Sequence, residues 1–149
     1  MKKYRAVVEI PKGSNRRIHL SYDGTDFVDL GLISNEIPIN NGVMPVCYGY
    51  IENTINDVEK DNVDVIIFSN KSYKTKDKID IKIIGMLNRE DGDHKIIATD
   101  ESVLINDFDD IKQVERNLIL KYFGYKSKII SIDNRIAAME YLNSSIIKV

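Results

Sequence analysis

The sequence predicts an α+β fold, a small barrel flanked by helices. Three observations carry this. Short apolar stretches separated by turn residues fill the first hundred positions. After them the hydrophobic period lengthens from that of a strand to that of a helix. No linker, low-complexity tract or internal repeat interrupts the chain. At 149 residues it is expected to form one domain, 1–149, long enough to bury a sizeable core.

The elements follow in order. Residues 4–10 read as a strand that ends at Pro11, and Lys12-Gly13-Ser14-Asn15 is turn chemistry. Residues 17–22 alternate and make a second strand, with Asp23-Gly24 as its turn; residues 27–33 make a third. Asn40-Asn41-Gly42 turns the chain into an aromatic extended stretch over 43–51. Residues 63–68 are a buried strand, and 70–78 a basic polar loop. Ile79-Asp80-Ile81-Lys82-Ile83 alternates strictly and runs on to Leu87, the clearest strand in the chain. An acidic loop over 88–94 precedes a strand over 95–99.

Ile111, Val114, Leu118 and Tyr122 then fall at helical spacing, with Asp109 or Asp110 as N-cap and Gly124 as the stop. Residues 127–132 are extended. Asp133 begins a short helix with Ile136, Met139 and Leu142 or Asn143 along one side.

Composition narrows the function classes. A net charge of −2 gives no basic excess for a nucleic-acid partner. The lone cysteine, Cys47, fits a reducing compartment. Met1-Lys2-Lys3-Tyr4-Arg5 has the basic character of a signal-peptide start, but the apolar run behind it stops at Glu9. No run is long enough to span a bilayer. A cytoplasmic protein without a membrane partner is the expectation.

The chain is organised around residues 48–68, where Glu59, Asp61 and Asp64 meet the buried strand. Residues two apart on an extended chain point the same way, so Glu59 and Asp61 share a face. Asp64 has the opposite parity and joins them only through a bend, for which Asn62 is suited. Clustered carboxylates near a core imply a cation among them. Taken alone, these acids read as a solvated loop, and Glu90, Asp91 and Asp93 as an ordinary acidic turn. A calcium loop is excluded, because the run 57–61 lacks the Gly and the closing Glu.

Four segments in order carry a resemblance. They are Val8-Glu9-Ile10-Pro11 with its following turn, then Pro45-Val46-Cys47-Tyr48-Gly49-Tyr50-Ile51. Next come Asp61-Asn62-Val63-Asp64-Val65 leading to Ile84-Gly85-Met86-Leu87, and last Asp93-His94-Lys95 with Tyr125-Lys126. Together they resemble the soluble family I inorganic pyrophosphatases over nearly the whole chain. The resemblance implies a five-stranded OB-like Greek-key barrel with flanking strands and two C-terminal helices. It also implies magnesium dependence, with manganese as a possible substitute, and a homo-oligomer, dimer or hexamer.

The family's acidic signature D-x-D-P-x-D reads here Glu59-Lys60-Asp61-Asn62-Val63-Asp64. By resemblance, Glu59, Asp61, Asp64, Asp93 and Glu90 or Asp91 hold metal. Asp61, Tyr48 and Lys95 are catalytic, and Arg17, Tyr48, Lys95, Tyr125 and Lys126 bind substrate. Glu9 supports them from behind. Arg17 stands where the family has a Lys, and His19, Leu30 and Met44 replace an acid, a phosphate-binding Arg and a Tyr.

The implied reaction is magnesium-dependent hydrolysis of pyrophosphate, or a similar small phosphoanhydride, by metal-activated water. The alternative is a weakened homologue that binds a phosphorylated ligand or serves as a structural subunit. A single-strand-binding barrel is disfavoured by the carboxylates.

Overall fold

Gly49 lies where the backbone of a neighbouring strand leaves no room for a side chain. The computed structural model describes residues 4–21 and 23–147. In it β1 (Tyr4–Ile10) pairs antiparallel with β4 (Cys47–Ile51), setting Val8 opposite Gly49. A Cβ on Gly49 would stand 2.0 Å from the Val7 carbonyl oxygen, so only glycine fits. The aromatic stretch over 43–51 is a strand only in its second half: Met44 exchanges backbone hydrogen bonds with Gly13 and Ser14 instead, and Pro45 has no N–H to donate to a ladder.

Two of the intervening strands form a hairpin of their own. β2 (Arg16–Leu20) pairs with β3 (Phe27–Leu32), placing Ile18 opposite Asp29. The turn is built as expected around Asp23, whose Oδ1 accepts from the Thr25 backbone N–H at 3.1 Å, and Gly24 takes φ +75°. Tyr22, assigned to the second strand, lies outside the described residues, as do Met1–Lys3 of the basic start.

The barrel continues with β5 (Asp64–Phe68), β6 (Lys78–Arg89) and β7 (Lys95–Thr99). Neighbours run β1-β4-β5-β7-β6, and β6 returns to β1, closing five strands. Closure removes the edges that an open sheet exposes. β5 and β7 are parallel; the other pairs are antiparallel. β6 is long enough to pair with β1 through its first half and with β7 through its second. β8 (Ile129–Asn134) adds to β6 outside the closed set.

Alternation divides the core in two. Ala6, Val8, Ile51, Val65, Ile67, Ile83, Ile96 and Ala98 draw on all five strands and fill the barrel interior, with Ala138 and Leu142 of α2 (Arg135–Ser144) against them. Ile66, Phe68, Ile84 and Ile97, of opposite parity, pack outward against Ile119, Tyr122 and Phe123 of α1 (Gln113–Phe123), joined by Leu87 beyond the irregularity in β6 between Ile83 and Gly85. Each fully buried aliphatic side chain contributes roughly 1.5–3 kcal/mol.

The helices differ in detail from expectation. Asp109 and Asp110 do not cap α1; they lie in a 3-10 turn, Phe108–Asp110, whose Asp107 accepts from the Asp109 N–H. Val114 is 81% exposed, because the helix is anchored by its C-terminal half. Gly124 does end it, its N–H donating to the Leu120 carbonyl at 2.9 Å. In α2, Asn134 is the cap, and Ile136 faces solvent while Ala138 and Leu142 are buried.

Candidate active site

The parallel pairing of β5 with β7 sets Asp64 opposite Lys95, both at the start of their strands. Lys95 is buried, and all three of its ammonium hydrogens have a partner. Its Nζ donates to Asp64 Oδ2 at 2.7 Å, Tyr48 Oη at 2.7 Å and Asp93 Oδ2 at 3.0 Å. Burial works against its charge, but Asp64 and Asp93 outweigh burial and hold the ammonium above its ordinary range. The Tyr48 ring stacks on Phe123 with centroids 5.7 Å apart. Burial and the nearby Asp64 and Asp93 push its phenol well up, so it stays a protonated donor.

Asp61 and Asp64 line one cavity, but Asn62 keeps a negative φ; the left-handed residue of this loop is Lys60, φ +59°, one position before Asp61. Asn62 instead anchors the loop, its Nδ2 donating to the Thr54 carbonyl at 2.9 Å. Asn56 shapes the rest: its Oδ1 accepts from Val58 N–H at 2.9 Å and Glu59 N–H at 3.1 Å. Its Nδ2 reaches the Gly92 carbonyl at 2.9 Å and ties this loop to the acidic turn.

The outcome is a polar cavity of about 180 Å³ walled by Glu9, Glu59, Asp61, Asp64 and Asp93. Carboxylate oxygens of Glu59, Asp91 and Asp93 lie within 4.8 Å of one another. Burial and the charges of Asp93 and Asp91 push the Glu59 carboxyl up; burial likewise raises Asp93, with Lys95 pulling it down and Asp64 adding to the rise. Acids crowded in this way fit a hard divalent cation with oxygen ligands. Glu9 sits behind them, its Oε2 accepting from the Leu20 N–H at 2.7 Å with His19 Nδ1 3.5 Å away.

A second cavity of about 280 Å³ shares Asp64, Asp93 and His19 with the first. Arg17, Arg89, Lys95, Lys126 and Tyr48 line it. Arg89 was missed by sequence reading, which ended the strand at Leu87. β6 runs two residues further, and Arg89 is buried like Leu87 two positions before it. That alternation was the available signal. Arg89 Nη2 lies 3.5 Å from Asp91 Oδ2 and Nη1 3.9 Å from Asp93 Oδ2, while its buried Nε finds no partner among the described residues.

Three expected positions fall elsewhere. Tyr125 is half exposed on a different hollow, beside Ile129 and Ile130, and does not line the cavity. Glu90 lines neither cavity; its N–H pairs with the Lys128 carbonyl at 2.9 Å, and Asp91 lines the cationic cavity instead. Leu30 also lines neither, being 54% exposed on β3, whereas Met44 and His19 do wall the cationic cavity. Larger hollows of about 580 Å³ contain none of the predicted carboxylates.

A family model described as inorganic pyrophosphatase matches residues 6–145. The chain belongs to the inorganic pyrophosphatase family. An inorganic pyrophosphatase from Campylobacter jejuni is 30% identical over 162 aligned positions, covering 97% of this chain and 90% of that protein. One from Leifsonia xyli is 30% identical, covering 83% and 77%. Among solved structures, the inorganic pyrophosphatase of Ehrlichia chaffeensis superposes with a TM-score of 0.85 at 21% identity, covering 97% and 94%. That of Coxiella burnetii gives 0.81 at 18% identity, covering 97% and 94%. Members of this pyrophosphatase family share the closed barrel with its added strand and helices, and they are metal-dependent hydrolases.

Proposed function

We propose that this chain hydrolyses inorganic pyrophosphate to two phosphates, with the acidic cavity as its metal centre and the cationic cavity as its phosphate site. The observation that carries the reading is Lys95 bonded at once to Asp64, Asp93 and Tyr48, where the two cavities share a wall.

Glu59, Asp61, Asp64, Asp91 and Asp93 would hold the divalent cations, with magnesium favoured by an all-oxygen donor set and manganese compatible with it. Bound there, such ions neutralise phosphate charge and bring a water toward a neutral pKa. Asp61 takes the proton from, or orients, the attacking water. Among the described residues its exposed carboxylate accepts one local bond, from the Asn62 N–H at 2.8 Å, which leaves it available for that task. As the new P–O bond forms, the bridging P–O bond breaks, and the electron pair leaves with the second phosphate.

Arg17, Lys95, Lys126 and Tyr48 donate to the non-bridging oxygens, where charge develops. Arg89 adds a further cation to the same cavity. Tyr125 stands on the adjacent surface and takes no part in this arrangement.

Phosphate release from pyrophosphate with magnesium, with manganese and without metal tests the proposal. Release above a Glu59/Asp61/Asp64 triple-alanine variant is the expected outcome; equal rates in both proteins defeat it. We further propose a cytoplasmic homo-oligomer, dimer or hexamer. It is supported by exposed Ile130, Ile132 and Ile136 along β8 and α2 and is measurable by light scattering. No helix among the described residues is long and apolar enough to cross a membrane.

A further inference from the structure

Glu36 belongs to none of the motifs that carry the family resemblance, yet it stands inside the phosphate cavity. One of its oxygens, Oε2, lies 2.8 Å from Arg17 Nη1 and 2.7 Å from Lys126 Nζ. A single anionic oxygen between a guanidinium and an ammonium has the surroundings of a bound phosphate oxygen. The Lys126 hydrogen bond, against a smaller opposing effect of burial and with help from Arg17, holds the carboxyl below its ordinary range, so it is an anion at neutral pH.

The segment that carries Glu36 is built, not loose. Ile33 is buried, and its carbonyl accepts from the N–H groups of both Glu36 and Ile37 at 2.9 Å. Gly42 closes the segment at φ +72°, so near Ser34 that an added Cβ would stand 2.6 Å from the Ser34 Cβ. This backbone delivers the carboxylate between the two cations.

We propose that Glu36 is an internal competitor for the phosphate-binding cations, holding Arg17 and Lys126 in the empty cavity and yielding them to an entering phosphate group. The inference rests on the pyrophosphatase reading of the cavity. It makes Glu36 a specificity-determining residue. A terminal phosphate with two negative charges outcompetes one carboxylate for two cations, whereas a singly charged phosphodiester gains nothing by the exchange. After hydrolysis the same carboxylate retakes the pair and favours product departure.

The test compares the parent protein with Glu36→Gln, using calorimetric titration of methylenediphosphonate at fixed magnesium and steady-state hydrolysis. The variant is expected to bind the analogue roughly two- to tenfold tighter, the scale of two partly exposed ion pairs. Its KM should fall by a similar factor without a rise in kcat, and inorganic phosphate should inhibit it more strongly. Unchanged or weaker binding overturns the proposal, since a residue that merely positions Arg17 and Lys126 would lose affinity on substitution. Tighter binding with no hydrolysis in either protein keeps the competitor role and rejects the hydrolase reading. Absence of analogue binding to both proteins overturns the two together.

Discussion

Asp64 and Lys95 are register partners across the parallel strand pair, and their side chains close an ion pair of 2.7 Å. Parallel pairing places the first residues of β5 and β7 side by side, so backbone geometry alone brings the acid and the amine together. Asp93, two residues before Lys95, then reaches the same nitrogen at 3.0 Å.

Lys95→Met would leave Asp64 and Asp93 facing one another without their cation. The expected loss in metal-free buffer is about 3–5 kcal/mol, the cost of breaking a buried pair from one side. Divalent cation should recover part of it by binding the same carboxylates. Urea unfolding with and without magnesium measures both effects.

Asp61→Asn separates chemistry from folding. The carboxylate is exposed and accepts one local hydrogen bond, so stability should change by no more than about 1 kcal/mol. Removal of a positioned base should lower kcat by roughly 10²–10⁴-fold. Turnover at saturating pyrophosphate, alongside the unfolding midpoint, decides it.

Metal-dependent stability should vary with pH. Glu59 and Asp93 have carboxyls raised by burial and by neighbouring carboxylates, so the folded, metal-free protein binds protons more readily than the unfolded chain. Such groups weaken the metal-free fold above their folded pKa values. That penalty fades as pH falls through those values toward the unfolded carboxylate range near about 4. Divalent cation should therefore stabilise most at neutral pH, by about 2.7 kcal/mol at a hundredfold excess over Kd, and progressively less in acid as protons compete. Thermal unfolding from pH 5 to 8 with and without magnesium reads this out.

Gly49→Ala addresses the barrel itself. Its new methyl would meet the Val7 carbonyl oxygen, and backbone cannot step aside as a side chain does. The cost should reach or exceed the ~3 kcal/mol end of overpacking. Chemical denaturation measures it, and a fully stable variant would show that β1 and β4 separate more easily than their register implies.

The strands and the two helices were legible because turn chemistry and hydrophobic period are local. Residues 79–87 and 95–99 needed nothing else. The faces of the helices were less legible: Val114 and Ile136 fit helical spacing, but where α1 and α2 touch the barrel is decided by distant strands. In the site, Asp61, Asp64, Asp93 and Lys95 were found through resemblance and by the parity argument that demanded a bend. The left-handed turn of this loop sits at Lys60, just before Asp61, where no propensity favoured it. Arg89 and Glu36 were invisible for a different reason. Arg89 acquires its meaning from two carboxylates on the following turn. Glu36 acquires its own from Arg17 and from Lys126, ninety positions along the chain.

Asp64 and Asp93 each wall two chambers, so the field that a cation sets up in one is felt in the other. Occupancy of the two sides is then coupled, and reciprocity fixes the size of that coupling. Whatever factor a divalent ion adds to anion affinity, the anion returns to the ion.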